Sequence, residues 1–207
     1  MKEIPEYEKD LASIRTMMER SVKFISLSGL SGVMSGIYAL AGAGIAYFLI
    51  YYPHAPYGFQ FYFLTETVVI FKLFITAAVV LVLSIGTGYL LSLRKAKKLN
   101  VPIWNQSSRQ LLIDLLIPLA TGGLFILILI SWEYYLIVAP ACLVFYGLAL
   151  INGSRNTYEE AKYLGLTEIT LGLISAWLPG FSLLFWAAGF GVMHIVYGAV
   201  MHYRYDR

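Results

Sequence analysis

Six stretches of this chain are apolar for long enough to cross a bilayer, and the polar residues collect between them. They run roughly over 24–52, 67–93, 110–131, 134–153, 160–178 and 181–203. A spanning helix needs about 20 mostly apolar residues, whereas a membrane barrel strand alternates over about ten. These runs are continuous rather than alternating, and a backbone in lipid must satisfy its own hydrogen bonds, so the pattern predicts helices. The expected fold is all-α: a polytopic membrane protein whose six transmembrane helices form three antiparallel hairpins.

Composition agrees. Hydrophobic residues make up 59% of the chain and charged ones 13%, against roughly 45–50% and about 25% in a soluble domain. With a mean hydropathy of +0.71, the sequence excludes a water-soluble globule, a disordered regulator and a nucleic-acid binder. A single cysteine, Cys142, rules out an internal disulfide framework and a four-cysteine zinc site. Three histidines are too few for a histidine-rich di-iron enzyme, and no cofactor is expected.

Charge then sets orientation. Lys2, Lys9, Arg15, Arg20 and Lys23 precede the first span; Arg94, Lys95, Lys97, Lys98 and Arg109 follow the second. Arg155 and Lys162 follow the fourth, and Arg204 and Arg207 end the chain. The connectors 53–66, 132–133 and 179–180 carry no Lys or Arg. The positive-inside rule therefore predicts an inner-membrane protein with both termini in the cytoplasm. Aromatic residues such as Tyr51, Trp132 and Trp177 on one side, and Trp104, Tyr158 and Tyr205 on the other, mark the interfacial belts.

The segment 1–23 balances five basic with five acidic residues, which argues against a cleaved signal peptide. Leu11, Ile14, Met18, Val22 and Ile25 recur at spacings of three and four, as in an amphipathic helix. Such a helix either lies at the interface ahead of the first span or docks a cytoplasmic protein partner. The basic loop 94–100 reads as a topology determinant that also attracts anionic head groups, making membrane lipids the expected partners.

Between helices in lipid, close contact depends on small residues. Ser28, Ser31, Gly32, Ser35, Gly36, Ala39, Gly42, Ala43 and Ala46 line one face of the first span. That stripe is either the central seam of the bundle or the contact of a homo-oligomer. Pro118 and Pro140 fall inside the third and fourth spans, where kinks are expected. A faint repeat relates Tyr146-Gly147-Leu148-Ala149 to Tyr197-Gly198-Ala199-Val200.

Ionisable residues inside a span are functional candidates by default. Glu168 shares its face with Ala161, Gly165, Gly172 and Ser175, so it points at another helix. His194 likewise shares a stripe with Ala187, Gly191 and Gly198. About the turn Pro179-Gly180, Glu168 matches His194 in depth and Glu160 matches His202. With Tyr197 of the same span these form a candidate proton- or ligand-binding set. Three readings stay open: a polar clasp between helices, a proton or ligand site, and a metal site of two His and two Glu. Asp114 enters the third span at a similar depth, where it either joins this cluster or reaches water. Lys72 near the outer end of the second span either snorkels to the interface or serves as a counter-charge to an outer cavity.

Gly29-Leu30-Ser31-Gly32 fits the Gly-x-Ser-Gly pattern of rhomboid intramembrane proteases, and His194 supplies a histidine. The rhomboid serine belongs to the fourth span and faces outward, so an intramembrane Ser/His hydrolase ranks third among the functions. The stretches 18–32 and 185–198, Met18-Glu19-Arg20-Ser21 through Gly32 and Phe185-Trp186-Ala187-Ala188 through Gly198, resemble a family of uncharacterised six-span bacterial inner-membrane proteins. That resemblance implies six spans and brings no activity with it. More distantly, the glycine-rich hairpin with Pro179 at its turn is similar to the short-repeat membrane proteins of the HdeD acid-resistance type. Taken together, the expected function is a non-enzymatic accessory, stress or sensory membrane protein whose buried polar cluster binds protons or a small ligand. A small proton-coupled transporter is the alternative.

Overall fold

In a computed structural model of the chain, residues 28–50 and 67–206 are described. The N-terminal segment 1–23 and the connector 53–66 lie outside them. Helix α1 runs Gly29–Ile50, α2 Thr67–Lys98, α3 Gln106–Ser131, α4 Tyr135–Gly153 and α5 Glu160–Trp177. The last helix, α6, runs Ser182–Tyr205 and carries a π-helical stretch, Ala187–Met193, in its middle. No strand occurs among the described residues. The helices α1, α2, α3, α4 and α6 are long and apolar enough to cross a membrane. Helix α5 stands apart from them: its 18 residues include Glu160, Lys162 and Glu168.

Local chemistry sets the helix ends. Asn105 caps α3: its side chain accepts from the Ser108 N–H while Ser108 Oγ accepts from the Asn105 N–H, at 2.9 and 2.8 Å. Between α3 and α4 the turn closes through Glu133, held at φ 63°, with the Tyr134 N–H reaching Leu129 O at 2.8 Å. This left-handed position ends α3 and lets α4 start at once.

Both intrahelical prolines are accommodated by donors from neighbouring segments. Proline cannot donate to the carbonyl four residues back, which for Pro118 is Asp114 and for Pro140 is Leu136. Asn152 Nδ2 donates to Asp114 O at 2.8 Å, and Ser182 Oγ donates to Leu136 O at 3.4 Å. Both helices run through their prolines unbroken. The orphan carbonyls that would be costly in lipid thus become contacts from α4 to α3 and from α6 to α4.

Glycines decide which helices meet. A methyl group on Gly147 of α4 would lie 2.6 Å from Gly165 O of α5 and 2.7 Å from Ile169 Cγ1. The same geometry recurs between α1 and α6, where a methyl on Gly36 would lie 2.6 Å from Gly191 O and 2.7 Å from Ile195 Cγ1. Only glycine permits these approaches, and in lipid such approaches are how helices gain packing contact. The α1 stripe is therefore an internal seam: Gly29, Gly32 and Gly36 face Gly198, His202 and Gly191. The antiparallel run of these contacts brings the start of α1 to the end of α6.

Helices α1 and α2 pack against each other, as do α3 and α4, while α5 lies closest to α4 and α6 closest to α1, with α5 and α6 also in contact. The reason is steric, since the glycine seams lie between those helices. Among the described residues, helix α2 packs closely on α1 alone and otherwise presents Phe71, Phe74, Val82 and Ile85 outward.

At one end of the bundle, Asp206 gathers three helices. Its carboxylate accepts from Lys95 Nζ at 2.6 Å, from the Gly29 N–H at 2.8 Å and from Ser28 Oγ at 3.2 Å, with His202 Nδ1 at 3.3 Å. Lys95 also donates to Tyr158 OH at 3.2 Å. Burial alone would push the Asp206 carboxyl up, but the hydrogen bonds from Lys95, Gly29 and His202 and the Lys95 charge outweigh it and hold the group below its ordinary value of 3.8.

Candidate functional site

The site lies where α4, α5 and α6 converge. Glu168, midway along α5, is 0% exposed. It is there because the face of α5 that carries it, with Gly165, Gly172 and Ser175, is the buried one. Opposite stands Gly189 of α6, whose missing side chain leaves room for the carboxylate: a Cβ there would collide with Glu168 Oε2 and lie 2.6 Å from Leu143 Cδ2.

His194 follows the π-helical stretch directly and is 6% exposed. Such π segments interrupt the regular backbone ladder and occur frequently at functional sites. Here His194 Nδ1 lies 3.0 Å from Gly189 O and 3.4 Å from Glu168 Oε1, and only the first contact has hydrogen-bond geometry. His194 Nε2 lies 2.8 Å from the hydroxyl of Tyr146 on α4. A carbonyl can only accept, so in the neutral ring Nδ1 carries the hydrogen and Tyr146 donates to Nε2; this tautomer follows from the partners. Tyr146 and Phe190 flank the imidazole with ring centroids 5.3 and 5.8 Å away.

Both nitrogens of His194 are thus engaged, and Glu168 is left over. Neither carboxyl oxygen of Glu168 has a hydrogen-bond partner. An ionised carboxylate enclosed without donors is among the most costly arrangements a fold can contain. The arrangement can hold one proton in two ways: Glu168 as the acid beside neutral His194, or the carboxylate beside the imidazolium. Tyr146 suits both forms because a hydroxyl can donate to Nε2 or accept from Nε2–H.

The remaining candidates go elsewhere. Glu160 does not pair with His202: Glu160 Oε1 accepts from Arg204 Nη1 at 2.7 Å and from Tyr205 OH at 2.9 Å. His202 lies eight residues beyond His194, about 80° around the helix, on the side where α6 meets Gly29. Asp114 does not join the cluster either; its oxygens accept from Gln110 Nε2 at 3.0 Å and Asn156 Nδ2 at 2.6 Å, pinning α3 to the end of α4. Tyr197 is half-buried on α6, within electrostatic range of Glu160, Tyr158 and Tyr205. Lys72 is exposed near the start of α2. No group of three His, Cys, Asp or Glu that could hold a metal occurs among the described residues. The Ser31 hydroxyl donates to Ser28 O at 2.6 Å, and His194 is engaged by Tyr146 and Gly189, so the serine–histidine dyad is not assembled.

Tyr146 was absent from the candidate set. The repeat carried its signal: Tyr146-Gly147 and Tyr197-Gly198 each put a glycine on a helix seam and a tyrosine beside it, but hydropathy does not mark a tyrosine as buried. Asp206 and Lys95 escaped because they lie outside the apolar runs.

No family model matches the chain, and no curated protein or solved structure is significantly similar to it.

Proposed function

We propose that this chain is a six-span inner-membrane protein with both termini in the cytoplasm, non-enzymatic, and that its buried Glu168, His194 and Tyr146 cluster takes up and releases a proton in a sensory or stress-accessory role. The observation that carries this reading is the fully enclosed Glu168 carboxyl without a donor, 3.4 Å from the imidazole. With one proton the pair is neutral overall. Without it the site holds an unpaired buried charge, which the packing around it must relax to accommodate.

A purely structural clasp does not require titration. The test is the double substitution Glu168→Gln with His194→Asn, because amides of similar shape can still hydrogen-bond across the helices while neither titrates near neutral pH. Protein in lipid nanodiscs is melted across pH, and proton uptake is followed by infrared difference spectroscopy. The parent should show a pH-dependent melting profile that the folded double variant lacks. Identical profiles in the two would refute the proton site.

Orientation rests on the confinement of Lys and Arg to one set of connectors and on the antiparallel meeting of the start of α1 with the end of α6. On a Cys142→Ala background, cysteines at the exposed positions Ser131 and Glu133 should react with an impermeant maleimide from the periplasm, and those at Lys97 and Arg155 should not. Reaction at position 97 from outside would reject the topology.

A further inference from the structure

The imidazole of His194 stands between two acceptors and can serve only one of them well. Its Nδ1 lies 3.0 Å from Gly189 O and 3.4 Å from Glu168 Oε1, and a ring nitrogen carries a single hydrogen. The bond to Gly189 is a clamp on the π-helical stretch Ala187–Met193. A π segment bonds residues five apart, and the ring joins Gly189 to residue 194 at the same separation, across the last turn of the stretch. Gly191 sits inside that turn. It is also where α1 rests: a methyl group on Gly36 would lie 2.6 Å from Gly191 O, 2.7 Å from Ile195 Cγ1 and 3.0 Å from the Ile195 backbone nitrogen. Helix α1 is therefore seated on one residue within the clamped turn and on another directly after His194. Glu168 reaches the same turn from the other side, its Oε2 occupying the space where Gly189 lacks a side chain.

We infer that the proton on Glu168 sets the position of α1 against α6, with the π-helical stretch as the movable part; this rests on the proton-site reading above and names what relaxes when the proton leaves. With Glu168 as the acid, the Nδ1–H donates to Gly189 O and the turn is closed. When the Glu168 O–H gives its proton to water, a carboxylate is left beside a neutral ring, and the Nδ1–H is its nearest donor. A charge-assisted bond of this kind runs about 2.7–2.9 Å, so ring and carboxylate must approach by about 0.5–0.7 Å. The hydrogen that makes this bond is withdrawn from Gly189 O. Throughout, the Tyr146 hydroxyl, 2.8 Å from Nε2, holds the far side of the ring. The turn around Gly191 then opens, and α1, resting on it, shifts. The groups facing Glu168 are His194 of α6 and Tyr146 of α4, with Tyr197 one turn further along α6; α1 carries Tyr38 and Tyr47 but no charged residue. The α4 and α5 seam, where Gly147 meets Gly165 and Ile169, has no ring clamp and keeps its spacing.

The test pairs two titrations of full-length protein in nanodiscs of phosphatidylethanolamine and phosphatidylglycerol. Infrared difference spectroscopy follows the Glu168 carboxylic-acid band, assigned by its loss in Glu168→Gln. Pulsed electron spin resonance follows distances between nitroxides on a Cys142→Ala background, one pair at the exposed Ile37 of α1 and Leu173 of α5, a second at Leu124 of α3 and Leu173. The Ile37 to Leu173 distance should change by about 1–2 Å, the size of helix shifts at packed interfaces, with the midpoint of the infrared band. The Leu124 to Leu173 distance should stay fixed, and Glu168→Gln should abolish the change in the first pair. A band that titrates while the first pair stays still, moves with another midpoint or moves no more than the second would overturn the switch. A band that does not titrate would instead overturn the proton site, and the switch with it. Should Glu168→Gln fail to fold, Glu168→Asp assigns the band by moving it, and agreement of the two midpoints in the parent decides.

Discussion

Replacing Gly147 by alanine tests whether the α4 and α5 seam holds the bundle together. The new methyl would stand 2.6 Å from Gly165 O and 2.7 Å from Ile169 Cγ1. Ordinary carbon-to-carbonyl contact begins at about 3.3 Å, so the helices must separate by about 0.7 Å at the crossing. Neither obstacle is a mobile chain end: one is backbone and the other is the branched stem of Ile169, itself packed on the seam. A gap of this size forfeits roughly a quarter to a half of the dispersion attraction of each pair it opens, and overpacking of this kind costs about 1–3 kcal/mol. Alanine returns up to about 1 kcal/mol through its better helix propensity, so Gly147→Ala should be about 1–3 kcal/mol less stable than a glycine-to-alanine change in a helix that meets no neighbour. Gly123 of α3 provides the control, because a methyl there meets nothing within 4 Å. Gly123→Ala should therefore be neutral or stabilising. The assay is reversible unfolding in detergent micelles by heat or guanidinium, with the parent, both single variants and Gly165→Ala side by side. Gly165→Ala spreads the same crossing, so the double Gly147→Ala with Gly165→Ala should cost clearly less than the sum of its parts. A Gly147→Ala protein as stable as Gly123→Ala would refute the close approach.

Asp206→Asn should destabilise the bundle by about 2 kcal/mol at neutral pH, since a charged acceptor of several hydrogen bonds is lost. Because the folded Asp206 carboxyl lies below its ordinary 3.8, its contribution is present above that value and disappears as pH falls through the lower folded one. Acid melts below about pH 4 should thus converge for parent and variant, and a gap that widens with acidification would contradict this. Asn152→Ala should cost about 1–2 kcal/mol by exposing the Asp114 carbonyl, and much less on a Pro118→Ala background, where the helix can satisfy that carbonyl itself; equal costs on both backgrounds would disprove the compensation. Glu133→Gly should raise stability by about 1 kcal/mol, because the residue sits at φ 63° where a side chain is strained; an unchanged melting temperature would count against it.

The sequence by itself determined the helices, their approximate limits and the segregation of basic residues, because these follow from local quantities: the length of an apolar run and the charges that flank it. It also singled out Glu168 and His194, since an ionisable group on a small-residue face inside a span has few other meanings. Depth about the Pro179-Gly180 turn was enough to match that pair, being near a tight connection. The same arithmetic failed for Glu160 and His202. Eight residues carry His202 round to the α1 side of its helix, and which side faces which neighbour is a tertiary property. Tertiary structure alone decided that α6 leans on α1 and α5 on α4, because glycine seams select their partners by shape, in the first case between helices at opposite ends of the described chain. It likewise decided that Tyr146 would reach His194 and that Asp206 would join the ends of three helices, contacts between residues 48 to 177 positions apart. Hydropathy is blind to such contacts because it measures each residue's preference for lipid, whereas a hydrogen bond between helices depends on where two side chains arrive together.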